Sequence, residues 1–239
     1  MQKTSDPTTV NVMSGLALEV AINRWLKPKF EADSSFSLAI DWRPTAAIMR
    51  SIDEGRRADV IIAIDDSMDR LVADGIVRTA TRVTLADSVL GVGVRQGAAK
   101  PDVSTVDAFK SAMLNARAVA YSKAGASGIY FAKIIEKLGI ADAVNARAVV
   151  IPMGFTAEKV ARGDADLAIQ QISELMSVAG IDIAGPFPAE LQTVSRFDAA
   201  IFTDATNPDG AAALLAALTS PAAAKAYADG GLVSRVTSR

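Results

Sequence analysis

The chain has 239 residues, half of them hydrophobic, a formal net charge of −2, and neither cysteine nor histidine. Disulfides, thiolate metal sites and a Ser-His-Asp triad are thereby excluded, and any proton transfer falls to Asp, Glu, Lys or Tyr. So small a net charge gives no long-range attraction for nucleic acid or an anionic membrane, so an anionic ligand would have to be held by local groups.

The N-terminal MQKTSDPTTVNVM lacks an apolar core of signal-peptide length, and no segment reaches transmembrane length. A periplasmic location is expected if a signal peptide has been removed, and a cytoplasmic one if Met1 is the native start. Strand and helix patterns then alternate. Thr9 to Met13 reads as a strand, followed by Ser14-Gly15 and a helix over Leu16 to Trp25; Pro28 stops that helix or lies just beyond it. Ser37 to Ile40 is a second strand. Asp41-Trp42-Arg43-Pro44-Thr45 leads from it into a helix over Ala46 to Glu54, capped by Gly55. Val60 to Ile64 is a β-branched strand, and Asp65-Asp66-Ser67 opens a helix ending near Gly75.

Ser88 to Val94 is a further strand whose glycines point to close backbone approach, and Asp102 to Asn115 a helix. Ala118 to Tyr121 reads as a buried strand. The small residues Ser122 to Gly128 follow, and then a helix with Phe131, Ile134, Ile135 and Leu138 on one face. A strand at Ala148 to Ile151, the loop Pro152-Met153-Gly154-Phe155 and a helix from Thr156 to Arg162 come next. Strands at Leu167 to Gln171, Ile181 to Ala184 and Arg196 to Thr203 precede Ala-rich helices over Asp209 to Leu218 and Pro221 to Asp229. Repeated βα units predict an α/β fold of mainly parallel sheets covered by helices. The expected division is residues 1–86 with 200–239 as one lobe and 87–199 as the other, with the strands near 88–94 and 196–203 as crossovers.

In open α/β sheets ligands bind at the carboxyl ends of strands. The junctions there carry small polar groups: Ser14-Gly15, Arg43-Pro44-Thr45, Ser122 to Gly128, Met153-Gly154-Phe155, and Gln170-Gln171 with Ser173. Hydroxyls at Ser122 and Ser127, the Lys123 cation, and glycines at 125 and 128 that admit a ligand to the backbone form a plausible anion cradle. Taken alone that segment is an ordinary capped helix; the recurrence of similar junctions favours a ligand cleft enclosed by two lobes. Arg43 is the sharpest residue, because a guanidinium holds a carboxylate in a bidentate pair yet is disfavoured at a helix N-terminus. Of the glutamines ending one strand, Gln171 is expected to face the ligand and Gln170 to face away. Asp65-Asp66 reads as a helix cap, and Arg56-Arg57 as solvated surface. No metal or cofactor is expected.

The strand–Ser–Gly start VNVMSG, the segment IMRSIDEGRRADVIIAIDDSMDRLVADGIV, the region AYSKAGASGIYFAKIIEKLGI, and VARGDADLAIQQISEL followed by VAGIDIAGPFPAELQ occur in a familiar order and spacing. In them the chain resembles type II periplasmic solute-binding proteins of the molybdate-binding-protein group, from Thr9 to Leu232. The resemblance implies two α/β lobes closing on a small oxyanion, a monomer, delivery to ABC transporter membrane subunits, and no nucleic-acid partner. By motif position Ser14, Thr45, Ser127, the loop near Met153 and Gly154, and Gln171 match family ligand contacts. Where molybdate binders carry a serine-rich run this chain has Trp42-Arg43-Pro44-Thr45, and where they commonly place a tyrosine it has glutamine. With Lys123, these departures favour an organic carboxylate over molybdate. The stretches QQISEL and VAGID are similar to the branch that includes a bacterial aconitate isomerase. The alternative to a binding protein is thus an enzyme shifting an allylic proton of a small polycarboxylate, with Lys123, Tyr121 or Asp41 as candidate bases.

Overall fold

A computed structural model describes residues 8–123, 125–152 and 154–236. The chain divides into two compact units, one comprising residues up to Asp87 and from Ser195 onward, the other Ser88–Val194. The strands in chain order are β1 (Thr9–Ser14), β2 (Ser37–Trp42), β3 (Val60–Ile64), β4 (Val83–Arg95), β5 (Val119–Ser122), β6 (Val149–Ile151), β7 (Leu167–Gln171), β8 (Ile181–Pro186), β9 (Val194–Ile201) and β10 (Val233–Ser234).

In the first unit β1 lies between β2 and β3, all parallel, and β9 runs antiparallel beside β3. Alternation along each strand sends its side chains to opposite faces. Val10, Val12, Val60 and Ile62 pack with Leu18, Ile22, Phe30, Leu214 and Tyr227. Met13, Ile61 and Ala63 pack with Ile48, Ile52, Met68 and Leu71 from the helices Thr45–Asp53 and Asp65–Ala73. Both faces are covered, which is why β3 is continuously apolar. β10 pairs antiparallel with the start of β4, at Ala86 and Asp87.

In the second unit β5 lies between β6 and β7, all parallel, and the later part of β4 runs antiparallel to β7 and to β8. Val119, Tyr121, Leu167 and Ile169 face an aromatic core containing Phe109, Phe131 and Phe187. The opposite face is built from small residues, Ala118, Ala120 and Ala168, against Ala157, Val160 and Leu175.

Most elements fall within a few residues of their sequence-based bounds, and the differences have physical causes. Pro28 does not end the first helix. Helical structure continues to Asp33 through a widened π turn at Ile22–Leu26, where the Lys27 N–H reaches back to the Ile22 carbonyl. Pro28 enters at the start of the next α-helical stretch, where the lack of an N–H is tolerated. β4 is 13 residues long rather than the short strand expected, since Thr84, Asp87 and Ser88 interrupt its apolar pattern without breaking it. The helices Ala141–Asn145 and Ile172–Leu175, absent from the sequence reading, are too short to display a period.

Candidate functional site

In the first unit the carboxyl ends of β1 and β2 bring together Ser14, Gly15, Arg43 and Thr45. Ser14 is fully buried, and its hydroxyl donates to the Gly15 carbonyl at 3.2 Å. The Gly15 N–H is spent on the Ile62 carbonyl at 3.0 Å, so Gly15 locks the β1 turn to β3 rather than offering that donor. Its missing side chain matters more. A Cβ there would lie 2.9 Å from the Phe197 ring and 3.5 Å from the Thr45 hydroxyl. Thr45 is the first residue of its helix and half-buried, and its hydroxyl has no partner among the described residues.

Arg43 is pinned. Its Nε donates to Asp41 Oδ1 at 2.9 Å and its Nη1 to the Ser51 hydroxyl at 3.3 Å, while its backbone N–H bonds the Ser14 carbonyl at 3.1 Å. An arginine beside a helix N-terminus is unfavourable alone, and the adjacent Asp41 carboxylate offsets that cost. Asp41 also receives Arg56, whose Nη2 lies 3.0 Å from Oδ2. Arg56 is exposed, as expected of a surface arginine, and is ion-paired as well; Arg57 is half-buried and bonds backbone carbonyls at Ile52 and Arg56, which corrects its reading as solvated surface.

In the second unit the cradle at the end of β5 has a defined internal order. Gly125 N–H donates to the buried Ser122 hydroxyl at 3.2 Å, and the Lys123 N–H bonds the Ile151 carbonyl at 2.8 Å. Ser127 is the second residue of the helix Ala126–Lys137, with its hydroxyl 3.9 Å from where a Gly125 Cβ would sit. That hydroxyl and the exposed Lys123 ammonium have no partner among the described residues. Gly128 has a packing reason of its own. A Cβ there would overlap the Ser122 carbonyl and lie 2.9 Å from the Ser122 nitrogen, so Gly128 serves close packing of helix on strand.

The glutamines divide their work. Gln170 Oε1 accepts from the Thr156 N–H at 2.8 Å and hydroxyl at 3.0 Å, and its Nε2 donates to the Gly154 carbonyl at 3.2 Å. Gln170 therefore holds the 154–156 loop, in which Gly154 has φ of +100°. Gln171 is buried at the end of β7 and precedes the helix Ile172–Leu175. Met153 lies outside the described residues. Beside that end of β7 the buried hydroxyls of Ser88, within β4, and Ser173, in the helix Ile172–Leu175, are 3.4 Å apart. The sequence signal for Ser88 is its hydroxyl in the otherwise apolar run SVLGVGV, which strand periodicity alone does not single out.

Of the candidate bases, Tyr121 is removed by its surroundings. Its ring packs edge-on against Phe131, its hydroxyl donates to Asn145 Oδ1 at 2.7 Å, and burial raises its pKa. Tyr121→Phe is expected to lower unfolding stability by about 1 kcal/mol, the net worth of one hydrogen bond, and to leave anion affinity unchanged. Urea unfolding and a titration check both, and a loss of affinity would return Tyr121 to the site.

The chain matches the family of bacterial extracellular solute-binding proteins over residues 10–233. It is 38% identical over 231 residues to an aconitate isomerase from Pseudomonas sp., covering 94% of this chain and 87% of that relative. Among solved structures it resembles the periplasmic molybdate-binding protein of Azotobacter vinelandii, with a TM-score of 0.73 at 20% identity over 94% of this chain and 98% of that one. The sulfate-binding protein SubI from Mycobacterium tuberculosis gives 0.67 at 16% identity over 94% and 86%. Both likenesses concern the fold, a mixed α/β architecture of the periplasmic-binding-protein type.

Proposed function

Because the chain belongs to the bacterial extracellular solute-binding protein family, we propose that its ligand is a small polycarboxylate of the aconitate type and that it interconverts the isomers of that ligand. The observation that carries this reading is the 38% identity to an aconitate isomerase along nearly the whole chain. The side chains support it. Arg43 is oriented by Asp41 and Ser51 so that its Nη2 edge has no acceptor among the described residues, and a guanidinium edge matches a carboxylate. Ser14 and Thr45 add hydroxyls at the neighbouring strand end and helix start.

The reaction is a 1,3-proton shift. A proton leaves the methylene carbon, negative charge spreads into the neighbouring carboxylate, and a proton returns to the former vinyl carbon. The double bond thereby moves, and the product can be of the opposite geometry. Cations at the carboxylates stabilise the charge that develops. Asp41 Oδ1 accepts from Arg43 and Oδ2 is ion-paired with Arg56, and Tyr121 is buried, so Lys123, acting as its neutral amine, is the side chain we assign to accept the methylene proton and return it to the former vinyl carbon.

A second reading rests on the family match: capture of the same ligand outside the cytoplasm and delivery to an ABC transporter, as a monomer. No helix among the described residues is long and apolar enough to cross a membrane. One experiment separates the two. The protein is incubated with cis- and with trans-aconitate and interconversion followed, beside a thermal-shift panel of molybdate, sulfate and di- and tricarboxylates. Turnover supports the enzyme. Stabilisation by tricarboxylates without turnover supports the carrier, and stabilisation by molybdate alone defeats both. Arg43→Ala is expected to weaken binding of the carboxylate ligand by about 1.5–3 kcal/mol, the scale of a hydrogen bond to a charged group. Unchanged affinity in a calorimetric titration would remove Arg43 from the site.

A further inference from the structure

Two guanidiniums share one carboxylate at the end of β2. Asp41 Oδ1 accepts from Arg43 Nε at 2.9 Å, and Asp41 Oδ2 lies 3.0 Å from Arg56 Nη2. The arrangement takes some building. Asp41 pairs in register with Met13 on β1, and Arg43 follows two residues later in the chain. Arg56 arrives from the far end of the helix Thr45–Asp53, where Gly55 at φ +90° reverses the chain and the Arg56 N–H bonds the Ser51 carbonyl at 2.9 Å. The same turn directs the neighbouring Arg57 elsewhere, to the carbonyls of Ile52 and Arg56 and toward Asp204. Ser51, 8% exposed, then fixes Arg43 from below while donating its own proton to the Ala47 carbonyl at 3.1 Å.

Stability does not explain this assembly, since the side chains of Arg43, Arg56 and Asp41 are 39%, 48% and 25% exposed. Ion pairs so open to water contribute little to folding. Two cations and one anion leave one unit of positive charge uncompensated within the trio. Among the described residues Arg43 Nη2 and Arg56 Nε and Nη1 have no acceptor, so donors on both guanidiniums are available to an anion. Asp41 holds the two forks side by side and prevents their mutual repulsion from separating them.

We propose that Arg56, coupled to Arg43 through Asp41, forms a second carboxylate subsite, and that this subsite selects ligands carrying an additional carboxylate. Asp41 and Ser51 are positioning residues for the pair. The inference rests on the reading in which Arg43 binds a ligand carboxylate, and it adds what that reading leaves open: why a polycarboxylate is preferred to a simpler acid.

The test uses two saturated probes that cannot isomerise, propane-1,2,3-tricarboxylate and glutarate, which lacks only the middle carboxylate. Calorimetric titration of the full chain is expected to favour the tricarboxylate by roughly ten- to a hundredfold, the range for one added charge-assisted pair. Arg56→Gln is expected to remove most of that preference while leaving glutarate affinity within about twofold, because its neutral amide cannot replace the charged fork. Arg56→Lys is expected to restore part of the preference, since it returns the charge without the planar fork. Asp41→Asn is expected to erode the preference as well, which a purely structural role for Arg56 would not produce. An Arg56→Gln protein that keeps the full preference overturns the inference and leaves the proposed ligand class standing. An unaltered protein that binds neither probe overturns both.

Discussion

Replacing Gly128 by alanine is expected to destabilise the second unit by about 3 kcal/mol, the upper range for forcing atoms into a packed interior. Ser122 ends β5 and Gly128 lies in the first turn of the helix Ala126–Lys137, so the chain reverses onto itself across a few residues. At the point of contact the helix meets the strand backbone, and the added methyl group would overlap the Ser122 carbonyl oxygen and lie 2.7 Å from its carbon. A flexible side chain could swing aside, but this carbonyl belongs to a strand paired with β6 at Ile151 and cannot yield independently. The helix must lift, and its buried face goes with it: Phe131, Ile134 and Ile135 lose contacts in the core that contains Phe109 and Phe187. The Ser122 and Ser127 hydroxyls would separate by the same motion, so anion affinity should fall with stability. Denaturant unfolding measures the first effect and titration the second. An alanine variant that unfolds at the unaltered midpoint would show that the strand and helix approach less closely than described.

Asp59→Asn is expected to cost the first unit on the order of 3 kcal/mol, the penalty for leaving buried donors unsatisfied. Asp59 is fully buried and precedes β3. One carboxylate oxygen accepts from the Asn11 N–H at 2.8 Å and the Asn11 side chain at 3.3 Å. The other accepts from the Thr206 hydroxyl at 3.1 Å and the Asn207 N–H at 2.8 Å. Every partner is a donor. An asparagine, in either orientation of its amide, turns an NH2 group toward one of those backbone N–H groups, so two donors face each other without water. The damage reaches further because Asn207 caps the helix Pro208–Leu218, accepting from the Gly210 N–H at 3.0 Å. Urea unfolding checks the expectation. A loss below about 1 kcal/mol, the worth of a single hydrogen bond, would mean that the site relaxes around the amide.

The candidate site was legible in the sequence where chemistry coincides with a local signal. Ser14, Thr45, Ser122 and Ser127 stand at strand-to-helix junctions that short-range pattern reveals, and the structure puts each at a strand end or in the first turn of a helix. Arg43 was conspicuous because a cation at a helix start is locally unfavourable. The residues that hold it were not. Ser51 is distinguished by nothing in its surroundings, and Arg56 looks like one of two surface arginines until Asp41 is seen between it and Arg43. In the same way, Gln170 and Gln171 are indistinguishable as letters. Only the return of Thr156 and Gly154 to one of them shows which amide is consumed in holding a loop.

What the sequence determined by itself is the alternation of strands and helices, the α/β class, the polar junctions and the exclusion of histidine and cysteine chemistry. All of these follow from periods of a few residues, from turn-forming glycines and from composition, which do not depend on distant contacts. The tertiary structure decided the identity of partners. Asp87 is buried because Arg196 and Arg235 reach it from the other end of the chain, and Gly128 is required by a carbonyl that no local pattern describes. Such pairings set which groups are consumed in support and which remain for a ligand, because a hydrogen bond or a close contact depends on position in space while sequence pattern records only order along the chain.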